Sequence, residues 1–282
     1  MDIKDLAGLE KPLTRLIEVS ASAVGVVYRD TWGVNAEVRR RKMLADVEHE
    51  IKLLELNTKN ELLLRSQRRH LYQEAKRQLN IEETIREATE YLSEEVPEEK
   101  PSDDWTNNFF NIVQDVSNEE MKILWSKVLA GEVAKPGSYS KRTLEILKNL
   151  SQEEARAFKK LMSYTFGNYV IFKLGNDTSS LNNSGFYFAD WKVVQEAGLV
   201  SGTEDLRITV PTPTSVFRIG SKNVVFGSND KKVVEMPIKQ LTKAGTELSR
   251  LIEVEPDEKY LKNLVNFYSQ KGVEVIITDN QN

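Results

Sequence analysis

The chain has 282 residues and a formal net charge of −4, which argues against a protein that is basic over its whole surface, as many nucleic-acid binders are. It contains no Cys, which excludes disulfides, thiolate catalysis and cysteine metal sites and suits a cytoplasmic protein. The only histidines, His49 and His70, lie far apart on a charged segment and suggest neither a catalytic triad nor a clustered metal site.

The first apolar segment, residues 13–28, mixes aliphatic side chains with Ser and Gly. Its apolar part includes Glu18 and is shorter than the roughly 20 residues that a membrane helix needs. We expect a helix that packs on its own protein. A helix that lies on a membrane or on a partner is the alternative.

A long charged helix is predicted over residues 34–93, because this stretch contains no Pro and no Gly. Leu44, Val47, Ile51 and Leu54 recur every three or four residues, as in the seam of a coiled coil. A helix of this length with a polar outer face seldom folds alone. We therefore expect it to associate with a second copy, another subunit or a partner, and we favour self-association.

Residues 94–104 are acidic and include two Pro, so they are predicted to form an extended, exposed linker. Four short helices are predicted between residues 105 and 166. Gly131 is expected near the end of the second one. The predicted N-terminal caps are Asp103 or Asp104, Ser117 with Glu120, Ser138 or Ser140, and Ser151 with Glu154.

The loop between the second and third of these helices is polar and basic and precedes a helix N-terminus. Unpaired backbone N–H groups and the helix dipole favour anions at such a position. A solvated loop is the simpler interpretation. The candidate contacts to an anion or a partner are Lys135, Ser138, Ser140, Lys141 and Arg142.

A set of short motifs follows in a fixed order through this region. They are Trp105, Ser117, Glu119, Trp125, Leu129-Ala130-Gly131-Glu132, Pro136-Gly137-Ser138, Arg142-Thr143-Leu144 and Leu150-Ser151, with looser matches at 78–82 and 241–245. Together they resemble the bacterial family called domain of unknown function 2806. The resemblance supports an architecture and carries no catalytic residue. Through relatives that lie among mobile elements and defence genes, it also suggests a role in phage defence or in a mobile element.

Beyond residue 166, short β-branched and aromatic runs alternate with turns. Residues 169–174 are predicted as a strand or a buried helix end. Further strands are predicted at 206–210, 215–219, 223–226, 232–236 and 273–277, helices at 188–199 and 257–268, and Thr242 as the cap of another helix.

The run Ala197-Gly198-Leu199-Val200, the following hairpin and the run 241–248 resemble the end of a winged-helix domain, although the hairpin region is longer than a usual wing. Such domains bind DNA or proteins. The helix that would enter a DNA groove carries Lys192 against Asp190 and Glu196, which is too little positive charge to neutralise phosphates. The candidate nucleic-acid contacts are Arg207, Arg218, Lys222, Lys231 and Lys232.

These features predict a mainly α protein with a smaller α+β part. The predicted parts are an N-terminal helical extension with the long helix (1–93), the linker (94–104), a central helical unit (105–166) and a winged-helix-like domain (167–282). No nucleotide-binding or hydrolase motif is present, and we expect no cofactor. The leading hypothesis is a non-enzymatic cytoplasmic protein that forms a homo-oligomer through its long helix and recognises a protein partner through its C-terminal domain. A DNA-binding regulator and a membrane-acting effector that uses residues 13–28 are the alternatives.

Overall fold

The computed structural model divides into two compact units, Met1–Lys141 and Arg142–Asn282. This division falls inside the predicted central helical unit (105–166). That the predicted parts fold independently stays a prediction. The expected fold class is confirmed, because helices dominate and the second unit adds two small antiparallel sheets. The structure describes residues 10–25, 36–57, 60–171, 174, 181, 184–202, 206–210, 214–227 and 234–279.

The first unit is built from helices. They are α1 (Glu10–Val24), α2 (Ala36–Asn57), α3 (Glu61–Ala88), α4 (Asp103–Val113) and α5 (Glu119–Ala134). On α1, Leu13, Leu16 and Val19 are buried and recur every three residues, so one face of this helix packs on α4 and α5. Residues 26–28 of the predicted apolar segment lie outside the described residues. Within the described part of the chain, no helix combines the length and apolar character needed to cross a membrane.

Two helices, α2 and α3, take the place of the single helix predicted over 34–93. Asn60 has extended backbone angles (φ −91°, ψ 106°), and its side chain accepts hydrogen bonds from the amides of Leu62 and Leu63. Arg68 near the start of α3 forms an ion pair with Glu55 near the end of α2, so the two helices run antiparallel. The prediction of one continuous helix is therefore wrong at its centre, because Asn60 caps a new helix there.

The predicted seam of α2 faces its own chain, since α2 packs against α3. On both helices the half-buried apolar residues recur at spacings of three, four or seven, as in a coiled coil. They are Leu44, Val47, Ile51 and Leu54 on α2 and Leu64, Leu71 and Ala75 on α3. Between them the two helices thus bury one narrow apolar seam, and the second half of α3 also packs on α5.

The acidic segment after α3 is anchored on the first unit at two points. Val96 and Pro101 are buried, whereas the acidic residues around them are exposed. The prediction of a linker exposed along its whole length is wrong at these two positions. Burying an apolar side chain is favourable even in a segment whose prolines keep it out of regular structure.

The caps of α4 and α5 each lie one residue from the predicted position. The Ser102 side chain, and not Asp103 or Asp104, accepts from the amide of Trp105. Asn118 rather than Ser117 accepts from the amide of Met121, at 3.0 Å. At the start of each helix, the capping oxygen belongs to the residue three positions before the amide that it binds. Two neighbouring residues of the right type compete for that position.

The core of the first unit is aromatic, as the helical spacing predicts. Trp105 stacks on Phe109 with ring centres 5.1 Å apart, and Phe109 meets the edge of Trp125 at 5.6 Å. All three side chains are buried. Burial of each such side chain stabilises the fold by roughly 1.5–3 kcal/mol, so these rings hold α4 against α5.

The second unit combines helices and strands. Its helices are α6 (Lys141–Asn149), α7 (Gln152–Met162), α8 (Phe188–Glu196), α9 (Lys243–Ser249) and α10 (Glu258–Ser269). Its strands are β1 (Thr165–Phe166), β2 (Tyr169–Ile171), β3 (Leu206–Val210), β4 (Thr214–Ile219), β5 (Lys222–Gly227), β6 (Val234–Gln240) and β7 (Glu274–Asp279). The predicted capping box of α7 is confirmed, because Ser151 and Glu154 each accept a hydrogen bond from the other's amide, at 3.2 Å and 2.7 Å.

The strands form two antiparallel sheets. One has the order β1-β2-β6-β3, and the other has the order β4-β5-β7. Val216 of β4 is opposite Val225 of β5, which is opposite Ile276 of β7, so these three residues form one row across a face. The alternate residues Val224 and Phe226 are buried on the other face, where Phe226 meets Tyr268 of α10 at 5.5 Å.

A second group of rings links β1 and β2 to α10. Tyr164 meets Tyr260 edge-on with centres 5.4 Å apart, and Phe166 lies 6.1 Å from the same ring. The Tyr260 hydroxyl donates to the carbonyl of Ile171 at 3.0 Å, so the polar end of this buried side chain is satisfied.

Candidate functional site

The loop predicted to bind an anion already contains a buried carboxylate. Glu132 of α5 is 2% exposed. It accepts hydrogen bonds from the amide of Gly137 at 2.6 Å and from the amide of Tyr139 at 2.9 Å. The chain returns to its own helix through these bonds, so these two backbone donors are occupied by Glu132.

Two further contacts fix the same loop. The Trp105 indole N–H donates to the carbonyl of Tyr139 at 2.7 Å. The buried Tyr139 ring lies against Gly131, where a Cβ would stand 3.0 Å from Tyr139 Cε2. Gly131 was predicted near the end of α5, yet the helix continues to Ala134. Gly131 serves instead as the flat surface on which Tyr139 packs.

The predicted anion contacts are therefore distributed around a structural loop. Lys141 pairs with Asp104 at 3.3 Å, and Lys135 is the residue that follows α5. Ser138 and Ser140 lie on either side of the buried Tyr139. Arg142 begins the second unit. Anion binding by this set stays a prediction.

A second buried carboxylate joins two distant motifs. The Thr143 hydroxyl of α6 donates to Glu247 of α9, 104 residues later, and both side chains are buried. Lys243 lies 3.7 Å from the other Glu247 oxygen and is largely exposed. The motif residues Thr143 and Glu247 thus hold α6 to α9 inside the second unit.

The start of α9 packs against the residues that follow α8. The Thr242 side chain caps α9 at the amide of Gly245, as predicted, and donates to the carbonyl of Gly198 at 2.6 Å. A Cβ on Gly245 would stand only 2.0 Å from the carbonyl oxygen of Leu199. The two runs that resemble a winged helix, residues 197–200 and 241–248, are therefore in contact with each other.

The predicted nucleic-acid contacts are mostly engaged with their own chain. Arg207 pairs with Glu235 at 3.1 Å, and the Arg218 Nε donates to the carbonyl of Gly220 at 3.3 Å. Lys231 and Lys232 lie outside the described residues.

Lys222 is also paired, since its amine lies 2.7 Å from an Asp279 carboxylate oxygen. The hydrogen bond to Asp279 and its negative charge raise the pKa of Lys222. Each of the three described cations therefore has a contact on its own chain, and DNA contact by this set stays a prediction.

A cleft of about 820 Å³ lies beside Arg218 in the second unit. Its lining brings together side chains of both charges and apolar side chains. The lining residues that define it are Met162, Arg218, Arg250, Ile252, Glu253 and Glu255. With two arginines and two glutamates in its lining, the cleft does not favour a ligand of either charge.

A mixed-charge pocket of about 380 Å³ lies in the first unit near Glu37, Arg86 and Lys122. Lys122 is buried and paired with Glu83, and Glu119 lies 3.2 Å from the same amine. Among the described residues, no three His, Asp or Glu side chains lie close enough together to hold a metal ion. This pocket is explained by ion pairing within the fold.

Apolar side chains are exposed where α2 and α3 meet. We call these four residues the tip patch: Leu53 and Leu56 of α2 with Leu62 and Leu63 of α3. Leu56 is 83% exposed and Leu62 is 71% exposed. Exposed leucines at one end of a hairpin are a candidate surface for binding protein.

Several features above were not predicted from the sequence. Glu132 was recognised as part of a motif but not as a buried acceptor. The available signal was its position beside Gly131 and before the Pro136-Gly137 turn. Nothing local indicated the bond between Thr143 and Glu247.

In this chain the motif residues thus build the scaffold, with buried carboxylates that hold loops and helices together. The chain belongs to the family described as protein of unknown function (DUF2806), which matches residues 64–265. This match includes Trp105, Glu132, Thr143 and Glu247. No curated protein and no solved structure matches the chain.

Proposed function

We propose that this is a non-enzymatic interaction protein that self-associates through the α2–α3 hairpin and recognises a protein partner through its second unit. The observation that carries the first part is the tip patch. Its four leucines lie at the end of the hairpin that is far along α3 from the buried residues of that helix, which lie between 79 and 88. A hairpin end that buries little apolar surface gains stability when another surface covers it.

A second copy is the occupant that the hairpin favours. Exposed apolar residues on one end of a hairpin can be covered by the same residues of another copy in a two-fold arrangement. The Glu55–Arg68 ion pair lies in the same part of the hairpin and supplies both signs of charge. A surface that carries both signs is complementary to itself when one copy is rotated against the other.

Light scattering on the full-length protein tests this proposal. The wild type is expected to be an oligomer, and Leu56→Lys with Leu62→Lys is expected to shift it to monomer. The matched control is His49→Lys with Ser66→Lys, which adds the same charge at exposed polar positions of the same two helices. A wild-type monomer, or an oligomer unaffected by the leucine variant, would contradict self-association through the tip patch.

Point variants are preferable to removal of the first hundred residues. Leu79, Ile81 and Ile85 of α3 are buried in the first unit, which packs α3 against α5. A chain that begins after α3 would expose this core. Light scattering on it could not distinguish loss of assembly from loss of folding.

Partner recognition by the second unit rests on its resemblance to a winged helix. In the sheet, β6 lies between β2 and β3, and α8 precedes β3 in the chain. β6 then returns directly into α9. This order supports a winged helix whose wing is formed by β3 and β6, with β4 and β5 inserted in it, which would account for the long hairpin region.

The alternative functions have less support. DNA binding would use Arg207, Arg218 and Lys222, each of which already has a contact on its own chain. Membrane contact by α1 would need an apolar face, yet Leu13 and Leu16 are buried. A role in phage defence or in a mobile element stays a suggestion from family resemblance.

A further inference from the structure

We propose that β7 and the groove beside it bind an extended, mainly uncharged peptide segment of a partner protein, which adds to the sheet as a further strand. This inference rests on the proposed function, because it names the site and the kind of partner for the second unit. β7 comes last in the order β4-β5-β7, so one of its edges pairs with β5. Within the described residues no strand pairs with its outer edge, and no backbone hydrogen bond from outside the sheet reaches residues 274–279.

A groove of about 500 Å³ lies between α10 and β7. α10 ends at Ser269 and β7 begins at Glu274, so the two elements run side by side in opposite directions. Leu261 and Val265 are four residues apart on one face of α10, and they line the groove together with Ile277 of β7. Val265 and Ile277 are half-buried, so part of each side chain is accessible. These side chains give the groove an apolar lining next to the strand.

The other described sheet edges are less suited to the addition of a strand. β1 is two residues long, and β3 carries Arg207 and is followed by two prolines. At β4 the carbonyl of Arg218 already accepts a hydrogen bond from the amide of Gly167, at 3.3 Å. Charged side chains, prolines and covering segments are the means by which proteins protect sheet edges. In β7 the two charged residues stand at the ends of the strand, and it contains no proline.

The charges of the groove balance one another. Its lining carries two amines and one carboxylate, from Lys222, Lys262 and Glu258. The Lys222 amine lies 2.7 Å from a carboxylate oxygen of Asp279, which brings the total to two groups of each sign. A segment with a net charge of either sign would therefore gain little here. The complementary occupant is a segment with few charges and with apolar side chains.

An extended polypeptide matches both the strand edge and the groove. Every second residue of β7 directs its N–H and C=O groups to the outer edge, at a repeat of roughly 7 Å that an extended peptide shares. Alternate side chains of the added strand would enter the groove beside Val265. The others would continue the row of Val216, Val225 and Ile276 on the opposite face of the sheet. Both faces thus favour apolar side chains.

The test is selection of random peptides displayed on phage against the full-length protein, with Val265→Asp as the counter-selection target. We expect enriched sequences with Val, Ile, Leu or Phe at alternate positions and few charges. An enriched peptide is synthesised with a fluorescent label and titrated by anisotropy. Its affinity should fall by about tenfold or more in Val265→Asp, which places a charge in the apolar lining, and in Asn266→Trp, which fills the groove from an exposed position.

The pairing of the backbones has its own measurement. The same peptide is made with N-methyl groups on its even-numbered residues or on its odd-numbered residues. An added strand directs every second amide toward β7, so one set of N-methyl groups should abolish binding and the other should have little effect. A change in side-chain packing alone would not produce this alternation.

The matched controls are Val38→Asp on α2 and Asn107→Trp on α4, because both positions are exposed and lie outside the groove. They should leave the affinity for the peptide unchanged. Circular dichroism checks that each variant is folded. Since Asn266 is exposed, Asn266→Trp alone decides the outcome if Val265→Asp is unstable.

Four results would overturn the inference. They are no enrichment, peptides whose affinity is unchanged in both α10 variants, peptides that tolerate both sets of N-methyl groups, and a lower mass of folded Val265→Asp in light scattering. The last result would assign the groove to a second copy of the chain. Peptides that ignore both α10 variants mark another surface, so the inference fails and the proposed partner recognition survives, whereas no enrichment at all counts against both.

Discussion

The carboxylate of Glu132 lies 2.9 Å from the backbone nitrogen of Tyr139, seven residues further along the chain. The same carboxylate receives the amide of Gly137, and the Tyr139 carbonyl receives the Trp105 indole N–H. The loop is thereby closed onto a side chain of the helix before it, which occupies the amides of Gly137 and Tyr139.

Replacement of Glu132 by Gln should destabilise the first unit. A carboxamide has one acceptor oxygen, so one of the amides of Gly137 and Tyr139 would face an NH₂ group and remain unpaired. We expect the free energy of unfolding to fall by about 1–3 kcal/mol, measured by urea denaturation. The control is Glu145→Gln on α6, which removes only a 3.9 Å pair with Lys148. Equal stability of Glu132→Gln and wild type would refute the closing role of Glu132.

Replacement of Gly245 by Ala should be severe. The new methyl group would stand 2.0 Å from the Leu199 carbonyl oxygen, and a backbone atom cannot move aside as a flexible side chain can. We expect a loss of about 3 kcal/mol. Gly202→Ala meets nothing within 4 Å and should change stability by less than about 0.5 kcal/mol. Thermal unfolding of both variants checks this contrast, and a mild effect at Gly245 would contradict the close approach of α9 to Leu199.

The bond between Thr143 and Glu247 predicts a difference between two conservative substitutions. Thr143→Val keeps the shape but removes the hydroxyl donor, which leaves buried Glu247 with one bond fewer. We expect it to cost about 1–3 kcal/mol. Thr143→Ser keeps the donor and should cost clearly less. Chemical denaturation distinguishes them, and the reverse order would show that packing rather than hydrogen bonding decides this position.

The buried tyrosines predict a loss of stability at alkaline pH. Burial raises the pKa of Tyr169 to about 12 and also raises the pKa of Tyr260. In the unfolded chain tyrosine ionises near its reference pKa of about 10. Above that pH the unfolded chain releases protons that the folded chain retains. The stability these groups contribute is therefore complete below about pH 10 and is lost as the pH rises through the folded-state values.

Phenolate absorbance followed together with circular dichroism measures this effect. We expect part of the tyrosine signal to appear only as the protein unfolds. Tyr169→Phe should make stability fall less steeply above about pH 10, and Tyr72→Phe, at an exposed position on α3, is the matched control. Full ionisation of all tyrosines without unfolding would contradict the burial of Tyr260.

Local features could be predicted from the sequence because their causes are local. The capping box of Ser151 with Glu154, the cap at Thr242 and the strand at 206–210 all occur where residue type and spacing predict them. A capping oxygen needs only an amide three residues away. At Ser102 and Asn118 the same logic missed by one residue, because adjacent side chains of similar chemistry compete for one position.

The sequence by itself determined the helical character of the first unit, the mixed character of the second and the motifs that place the chain in its family. Only the tertiary structure decided that Arg68 pairs with Glu55, that Glu132 binds amides of its own loop and that Thr143 meets Glu247. These contacts join groups that are 7 to 104 residues apart. Their formation depends on the path of the chain, which no local periodicity or propensity encodes.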